Sequence, residues 1–156
     1  YFFGQLLKRL NGNVTFLIGT NDSFQIDKFL EKKFQKNIII KNINPINVNK
    51  YINICDLTLC FVRNTYARQA SCPTKVAESL ACGVPIICNS NVGDLNEIMK
   101  KIDKRLLVDA NDKYDIQKSV ISILNNRFFD KEEIISLSKK YFDLENVYYI
   151  YEKIYN

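Results

Sequence analysis

The sequence predicts an α/β fold: a Rossmann-like, three-layer domain with a mostly parallel sheet. Short apolar, β-branched segments alternate along the chain with amphipathic segments of about ten residues, which is typical of βαβ units. Of the 156 residues, 47% are hydrophobic and 25% are charged, the balance of a globular domain. Because no Pro/Gly-rich linker divides the chain, we expect one domain over residues 1–156.

Five segments have the length and composition of strands. In chain order they are VTFLIG (14–19), NIIIK (37–41), DLTLCFV (56–62), VPIICN (84–89) and RLLVD (105–109). In a parallel sheet, ligands bind at the carboxyl ends of the strands. We therefore expect a site in the loops that follow these segments.

The segments between the strands have apolar residues at helical spacing. They are FFGQLLKRL (2–10), IDKFLEKKF (26–34), a short helix within INPINVNKYINIC (43–55), PTKVAESLAC (73–82), LNEIMKKI (95–102), IQKSVISILNN (116–126), KEEIISLSKKYF (131–142) and NVYYIYEKIY (146–155). Asn11-Gly12 and Gly83 are suited to end the first and the fourth. The aromatic stripe of the last predicts a packed helix.

The chain opens in a helix, whereas a domain of this type normally opens in a strand. In the common strand order the first strand is central, so its absence would leave a gap in the sheet. We expect the sequence to begin part-way through a longer protein.

Composition excludes several kinds of chemistry. The sequence contains no histidine, which excludes Ser-His and Cys-His catalysis and imidazole metal sites. Its cysteines are odd in number, form no Cys-x-x-Cys pair and lie in or beside apolar segments, so we expect small core residues. They are Cys55, Cys60, Cys72, Cys82 and Cys88.

The formal charge of +5 does not identify a partner, because the lysines are scattered at the ends of predicted helices. No apolar run approaches the roughly 20 residues of a membrane helix, and the first residues do not resemble a signal peptide. We expect a cytoplasmic protein, with any membrane association made through a part of the protein that precedes Tyr1.

The chemistry is concentrated at the start of the fourth predicted helix. Pro73 suits the first helical turn, with Ser71 or Cys72 at the cap. The residues Ser71, Thr74, Lys75 and Glu78 are spaced i, i+3, i+4, i+7 and share one face, while Val76, Ala77, Leu80 and Ala81 face the core. Free N–H groups, a helix dipole, hydroxyls and an ammonium suit a phosphate, and the carboxylate could accept both ribose hydroxyls.

A plainer interpretation of the same residues stays open. Ser, Pro and Thr at a helix start often serve only as caps. Lys75 and Glu78 are three residues apart, so they could form a surface ion pair worth a few tenths of a kcal/mol.

Residues 71–98, SCPTKVAESLACGVPIICNSNVGDLNEI, resemble the signature of the family 4 (group 1) retaining glycosyltransferases. The matching elements are a Ser-x-Pro-Thr-Lys-x-x-Glu helix start, an Ala-x-Gly-x-Pro segment and a Gly-Asp turn before Glu97-Ile98. The resemblance implies the C-terminal, donor-binding half of a two-domain GT-B fold, with an acceptor-binding N-terminal domain elsewhere. The helices over about 131–156 would pack back or cross to that domain.

The resemblance also implies roles for particular residues. Glu78 would bind the ribose, while Ser71, Thr74 and Lys75 would lie against the diphosphate or its sugar. Arg63, just past the third strand, is a candidate for phosphate or sugar contact. The loops after Gly19 and Lys41 would approach the base.

The implied reaction is metal-independent and needs no cofactor. A hexosyltransferase-like enzyme would move sugar from a UDP- or GDP-type nucleotide to a glycan or lipid-linked acceptor, with retention, in cell-surface polysaccharide synthesis. We identify no catalytic side chain.

Ala70 departs from the family pattern, because many relatives have a sugar-contacting glutamate there. An alternative is therefore a catalytically inactive nucleotide-sugar-binding module that needs a partner chain. A flavodoxin-like switch domain is disfavoured, since Asp22 and Asp56 do not form an acidic cluster by spacing. No element interleaves basic and aromatic residues in the way typical of nucleic-acid binding.

Overall fold

The computed structural model describes residues 2–20, 36–63, 65–126 and 129–155, which form two compact units. The first unit spans Tyr1–Val48 and the second spans Asn49–Asn156. The predicted helix over 26–34 lies outside the described residues, and the single-domain organisation stays a prediction.

The first unit contains a helix and a two-stranded parallel sheet. Its elements are α1 (Phe2–Arg9), β1 (Phe16–Gly19) and β2 (Ile38–Lys41), followed by a 3-10 helix over Pro45–Asn47. Helix α1 ends as predicted, because Asn11 and Gly12 both have positive φ and turn the chain back. The strands pair in parallel from Phe16 with Ile38 to Gly19 with Lys41.

The second unit contains a three-stranded parallel sheet with β4 in the centre. Its strands are β3 (Thr58–Cys60), β4 (Ile86–Asn89) and β5 (Leu107–Val108). All four residues of β4 are buried, as expected for a central strand with both faces covered. The described α/β architecture with parallel sheets confirms the predicted fold class, although the five strands lie in two sheets.

Helices cover the second sheet. Their bounds are α2 (Val48–Asn53), α3 (Thr74–Ala81), α4 (Leu95–Ile102), α5 (Lys113–Asn125), α6 (Lys131–Phe142) and α7 (Leu144–Tyr155). Asp112 and Asp130 cap α5 and α6 by accepting hydrogen bonds from backbone N–H groups of the first turn. Every helix predicted between 43 and 155 is present, and the predicted bounds of α4 and α6 match the structure.

Helices α3 and α6 pack antiparallel, and a glycine sets their separation. Gly83, just after α3, has a φ of 69°, and a Cβ there would collide with the side chain of Lys131, the first residue of α6. At the other end of the pair, Glu78 of α3 and Phe142 of α6 line the same cleft. The last turn of α6 therefore lies beside the middle of α3.

One prediction about packing is wrong and another stays untested. Helix α7 has no buried residue, and its large apolar side chains are exposed, so its aromatic stripe is not packed in the second unit; its packing on another domain stays a prediction. In α3, Val76 and Leu80 are buried as predicted, but Ala77 is half-buried and Ala81 is exposed. These alanines face the cleft beside α6 because the sheet contacts only the Val76 side of the helix.

Candidate functional site

A buried hydroxyl network holds α3 on the sheet. The hydroxyls of Thr58, at the start of β3, and Ser79 of α3 are hydrogen-bonded at 2.6 Å. Ser79 is fully buried and also donates to the carbonyl of Val84 at 3.0 Å. Because these bonds join α3 to the start of β3 and to the segment before β4, they hold the C-terminal half of α3 against the sheet.

The first turn of α3 points its backbone N–H groups away from the helix. Pro73 is the N-cap residue, with φ −68° and ψ 115°, and no side chain caps the helix. The prediction of Pro73 inside the first turn is therefore wrong by one residue, since its extended ψ precedes the helix. The Val76 N–H bonds to the Pro73 carbonyl at 2.9 Å. The N–H groups of Thr74 and Lys75 have no acceptor within the helix.

The predicted face of α3 is present and accessible. Thr74, Lys75 and Glu78 are exposed, and Ser71 is half-buried just ahead of the helix. Lys75 and Glu78 do not form an ion pair with each other: the described part of the chain contains no such contact between them. The ion-pair interpretation of these two residues is therefore not supported, and both charged groups face the solvent.

The loop after β4 packs against the segment before α3. The Gly93 N–H donates to the carbonyl of Gln69 at 2.9 Å. Gly93 has a φ of 45°, and a Cβ there would collide with the carbonyl oxygen of Ser71. Only a glycine can bring the two backbones this close, so the predicted Gly-Asp turn lies directly beside the start of α3.

The loop after β3 is tied to the same edge. Asn89, the last residue of β4, accepts a hydrogen bond from the Val62 N–H at 2.8 Å. Arg63 follows at once and is exposed. The structure therefore brings the loop that carries Arg63 and the start of α3 to the carboxyl edge of β3 and β4.

Charge interactions agree with this placement. Burial raises the pKa of the Cys60 thiol at the end of β3, and the nearby Lys75 ammonium offsets part of that rise. Partial burial also raises the pKa of Cys72, with a further contribution from the Asp94 carboxylate. The charge of Lys75 therefore acts on Cys60 at the end of β3, and the charge of Asp94 acts on Cys72, which precedes α3.

The cysteines only partly match the prediction of core residues. Cys60 and Cys88 are buried side by side in register, and burial raises the pKa of Cys88 to about 12. Cys55 and Cys82 are half-buried, and Cys72 is exposed. Cys72 is accessible because it lies in the loop that leads to Pro73.

Two of the clefts among the described residues of the second unit bear on the site. One of about 360 Å³ lies between α3 and α6, with Glu78 and Lys139 on its walls and Ala81 and Phe142 among its apolar lining. The other, of about 310 Å³, is lined by Asp56, Val84 and Pro85, which precede β3 and β4. Of these two, the first borders the exposed face of α3, whereas the second lies at the opposite edge of the sheet.

Within the described ranges, no group of three or more Cys, Asp or Glu side chains could hold a metal ion. The same ranges contain no helix with the length and apolar character needed to span a bilayer. The metal-independent reaction stays a prediction.

A helix start held at the carboxyl edge of a parallel sheet, with hydroxyl, ammonium and carboxylate groups exposed beside it, defines an α/β domain suited to a phosphorylated small molecule. The chain belongs to the family of glycosyl transferases group 1, whose model matches residues 2–140. No curated protein matches the chain. Family membership assigns glycosyl transfer and implies a nucleotide-sugar donor. Helix α7 follows the matched residues.

Sequence reasoning did not identify Asn89 as part of this site. Its side chain is buried and bonds to the loop that carries Arg63. The available signal was a single amide at the end of VPIICN, an otherwise apolar strand. A polar residue there needs a hydrogen-bond partner, and the loops after the strands are the nearest source.

Proposed function

We propose that this chain is the donor-binding domain of a family 4, retaining glycosyltransferase. It would bind a UDP- or GDP-type sugar through Ser71, Thr74, Lys75 and Glu78, with Arg63 nearby. The acceptor would be a glycan or a lipid-linked precursor of a cell-surface polysaccharide. An N-terminal domain outside this sequence would bind that acceptor.

The start of α3 is the observation that carries this proposal. Its unpaired N–H groups and the Lys75 ammonium offer positive charge to a diphosphate. The Glu78 carboxylate lies about one turn further along and is exposed. The rise of an α-helix, about 1.5 Å per residue, separates Thr74 and Glu78 by about 6 Å along the axis, which suits a diphosphate followed by a ribose.

The chemistry that follows needs no nucleophile from this domain. The bond between the sugar's anomeric carbon and the phosphate oxygen breaks, and a bond to the acceptor oxygen forms on the same face. The acceptor proton passes to the departing phosphate. Lys75 and the helix N–H groups stabilise the negative charge that develops on the leaving diphosphate.

One observation favours a second candidate function. Ala70 is exposed just before the start of α3 and has no group that could contact a sugar hydroxyl. A catalytically inactive nucleotide-sugar-binding module that acts with a partner chain would keep the diphosphate and ribose contacts without that glutamate. A protein extended by the acceptor domain that binds donor without turning it over would support this candidate.

Calorimetric titration with UDP, GDP and their common sugar conjugates tests the donor site. We expect one nucleotide to bind, and Glu78→Ala to weaken it by about 1–3 kcal/mol, the value for hydrogen bonds to a charged group. Lys75→Ala should weaken the binding of nucleoside diphosphates and leave the affinity for the nucleoside unchanged.

Glu152→Ala and Lys118→Ala are matched controls, because both residues are exposed, on α7 and α5, and neither lines the cleft beside α3. They should leave the affinity unchanged. The absence of binding at millimolar nucleotide, also in a protein extended at its N-terminus, would refute the donor site.

A further inference from the structure

The central strand of the second unit, β4, ends at Asn89, whose buried side-chain amide lies where the pairing of β4 with β3 has ended. The last paired residues of β3 and β4 are Cys60 and Cys88. Asn89 follows with 2% of its surface exposed, and its backbone pairs in register with Val108 of β5. Its backbone is therefore held from the β5 side.

The Asn89 side chain takes the place of the next rung towards β3. Its Oδ1 accepts the Val62 N–H at 2.8 Å, and its Nδ2 donates to the Ser90 carbonyl at 3.3 Å. In a continued ladder, Val62 would donate to a backbone carbonyl of the neighbouring strand. A side-chain acceptor reaches further than a backbone carbonyl. It allows the chain to leave the sheet after Cys60 while its N–H stays paired.

The residue that this bond holds precedes Arg63. The Arg63 side chain is exposed, and its backbone position is fixed by Val62 on one side. The Lys75 ammonium acts on Cys60, the last residue of the same strand, and offsets part of the rise in its thiol pKa that burial causes. The hydrogen bond between Val62 and Asn89 thus fixes the start of the loop that carries Arg63 relative to the end of β4.

We propose that Asn89 is a positioning residue that holds Arg63 against the diphosphate of the donor. This inference rests on the proposed function and adds to the same site a residue that positions Arg63. Asn89 itself does not touch the ligand: its amide is buried and both of its ends are bonded to backbone groups. Its effect should therefore pass through Arg63 alone.

A double-mutant cycle tests this route. Asn89→Leu has a similar volume and removes the acceptor, so we expect it to weaken the preferred nucleoside diphosphate about tenfold. In an Arg63→Ala protein the same change should weaken binding less than about twofold, because the contact it serves is already absent. In a Glu78→Ala protein the full loss should remain. The matching nucleoside, which has no phosphate, should bind Asn89→Leu and wild type equally.

Val108→Ala is the structural control. This residue is the in-register partner of Asn89 on β5 and is equally buried, but it provides no acceptor to the loop. It should lower the melting temperature without changing diphosphate affinity. Asn89→Ser, which keeps an oxygen with a shorter reach, provides a milder variant should the leucine protein fail to fold. Its amide hydrogen exchange should rise at Val62 and Arg63.

The outcomes separate the two proposals. Loss of diphosphate affinity in Asn89→Leu that is equal with and without Arg63 would overturn the positioning role while leaving the donor site intact. The same loss in Val108→Ala would also overturn it. A wild-type chain that binds no nucleotide would overturn the donor site itself, and unchanged hydrogen exchange in Asn89→Ser would then show separately that Asn89 does not hold the loop.

Discussion

Gly12 and Gly93 both have positive φ, of 72° and 45°, but they differ in what a side chain would meet. At Gly12 a Cβ would have no atom within 4 Å, whereas at Gly93 it would collide with the carbonyl oxygen of Ser71. Substitution of Gly12 therefore measures the free-energy cost of the backbone conformation alone, whereas substitution of Gly93 adds the cost of a steric collision. Gly93 also lies at the candidate site, so its replacement reports on the function.

We expect Gly12→Ala to cost about 1–2 kcal/mol, the strain of a left-handed conformation for an L-residue. Gly93→Ala should cost more than this and should also weaken nucleotide binding, because the collision displaces Ser71 from the start of α3. Thermal denaturation measures the first effect and calorimetry the second. Equal stability losses with unchanged affinity in Gly93→Ala would show that the approach to Ser71 does not shape the site.

At this scale the sequence predicts which residues gather but not their detailed surroundings. The exposed face of Thr74, Lys75 and Glu78 follows from helical spacing alone and is present. The collision at Gly93 and the bond to Asn89 join residues 22 and 27 positions apart in the chain, counted from Ser71 and from Val62. Such contacts depend on strand order and loop paths, which local periodicity does not encode.

At the scale of elements, helix α7 is predicted correctly from the sequence, but the packing of its apolar face is not. Its residues have strong helical periodicity, and the predicted helix over 146–155 is present, beginning two residues earlier at Leu144 and ending at Tyr155. Periodicity also predicts a packed face, yet Tyr148, Tyr151 and Ile154 are all more than half exposed. An amphipathic pattern reports that a helix has an apolar side; the surface that covers it depends on the rest of the fold.

Two isoleucines on adjacent helices test this assignment. Ile134 of α6 is 1% exposed, while Ile154 of α7 is 68% exposed. We expect Ile134→Ala to cost about 2–5 kcal/mol, because it removes buried methylenes and leaves a cavity. Ile154→Ala should change stability by less than about 0.5 kcal/mol.

Urea denaturation of the purified chain gives both values. A loss in Ile154→Ala comparable to that in Ile134→Ala would mean that α7 is packed in solution, contrary to its exposure in the structure. The same substitutions leave the candidate site untouched, so nucleotide affinity in each folded variant should equal that of wild type.

For the whole molecule, the alternation of strands and helices predicts the fold class, but it does not predict that the described strands lie in two sheets. The pairing of β1 with β2, and of β3 with β4 and β5, is parallel throughout the described residues. Apolar runs identify strands because each strand of a covered sheet must be buried. They do not identify which strands pair, because one apolar run can pair with any other. Strand order therefore had to come from the structure.

Net charge is another property of the whole chain. It gives a test of whether a diphosphate is attracted by the charge at the candidate site or by the net charge of the chain. The sequence has a formal charge of +5, with lysines spread over many helix ends. At the candidate site, the charge of Lys75 acts on Cys60 at the end of β3. Lys118 is exposed on a different helix, α5. Screening acts on both, because the Debye length falls from about 10 Å at 0.1 M salt to about 3 Å at 1 M.

We expect affinity for the nucleoside diphosphate to fall several-fold between 0.05 and 0.5 M NaCl, and affinity for the nucleoside to stay constant. Lys75→Ala should reduce this salt dependence, because it removes the charge nearest the diphosphate, whereas Lys118→Ala should leave the slope unchanged. Calorimetric titrations over a salt series measure all three proteins. If the two lysine variants reduce the slope equally, the attraction arises from the net charge of the chain and not from the start of α3. The diphosphate would then need a different site.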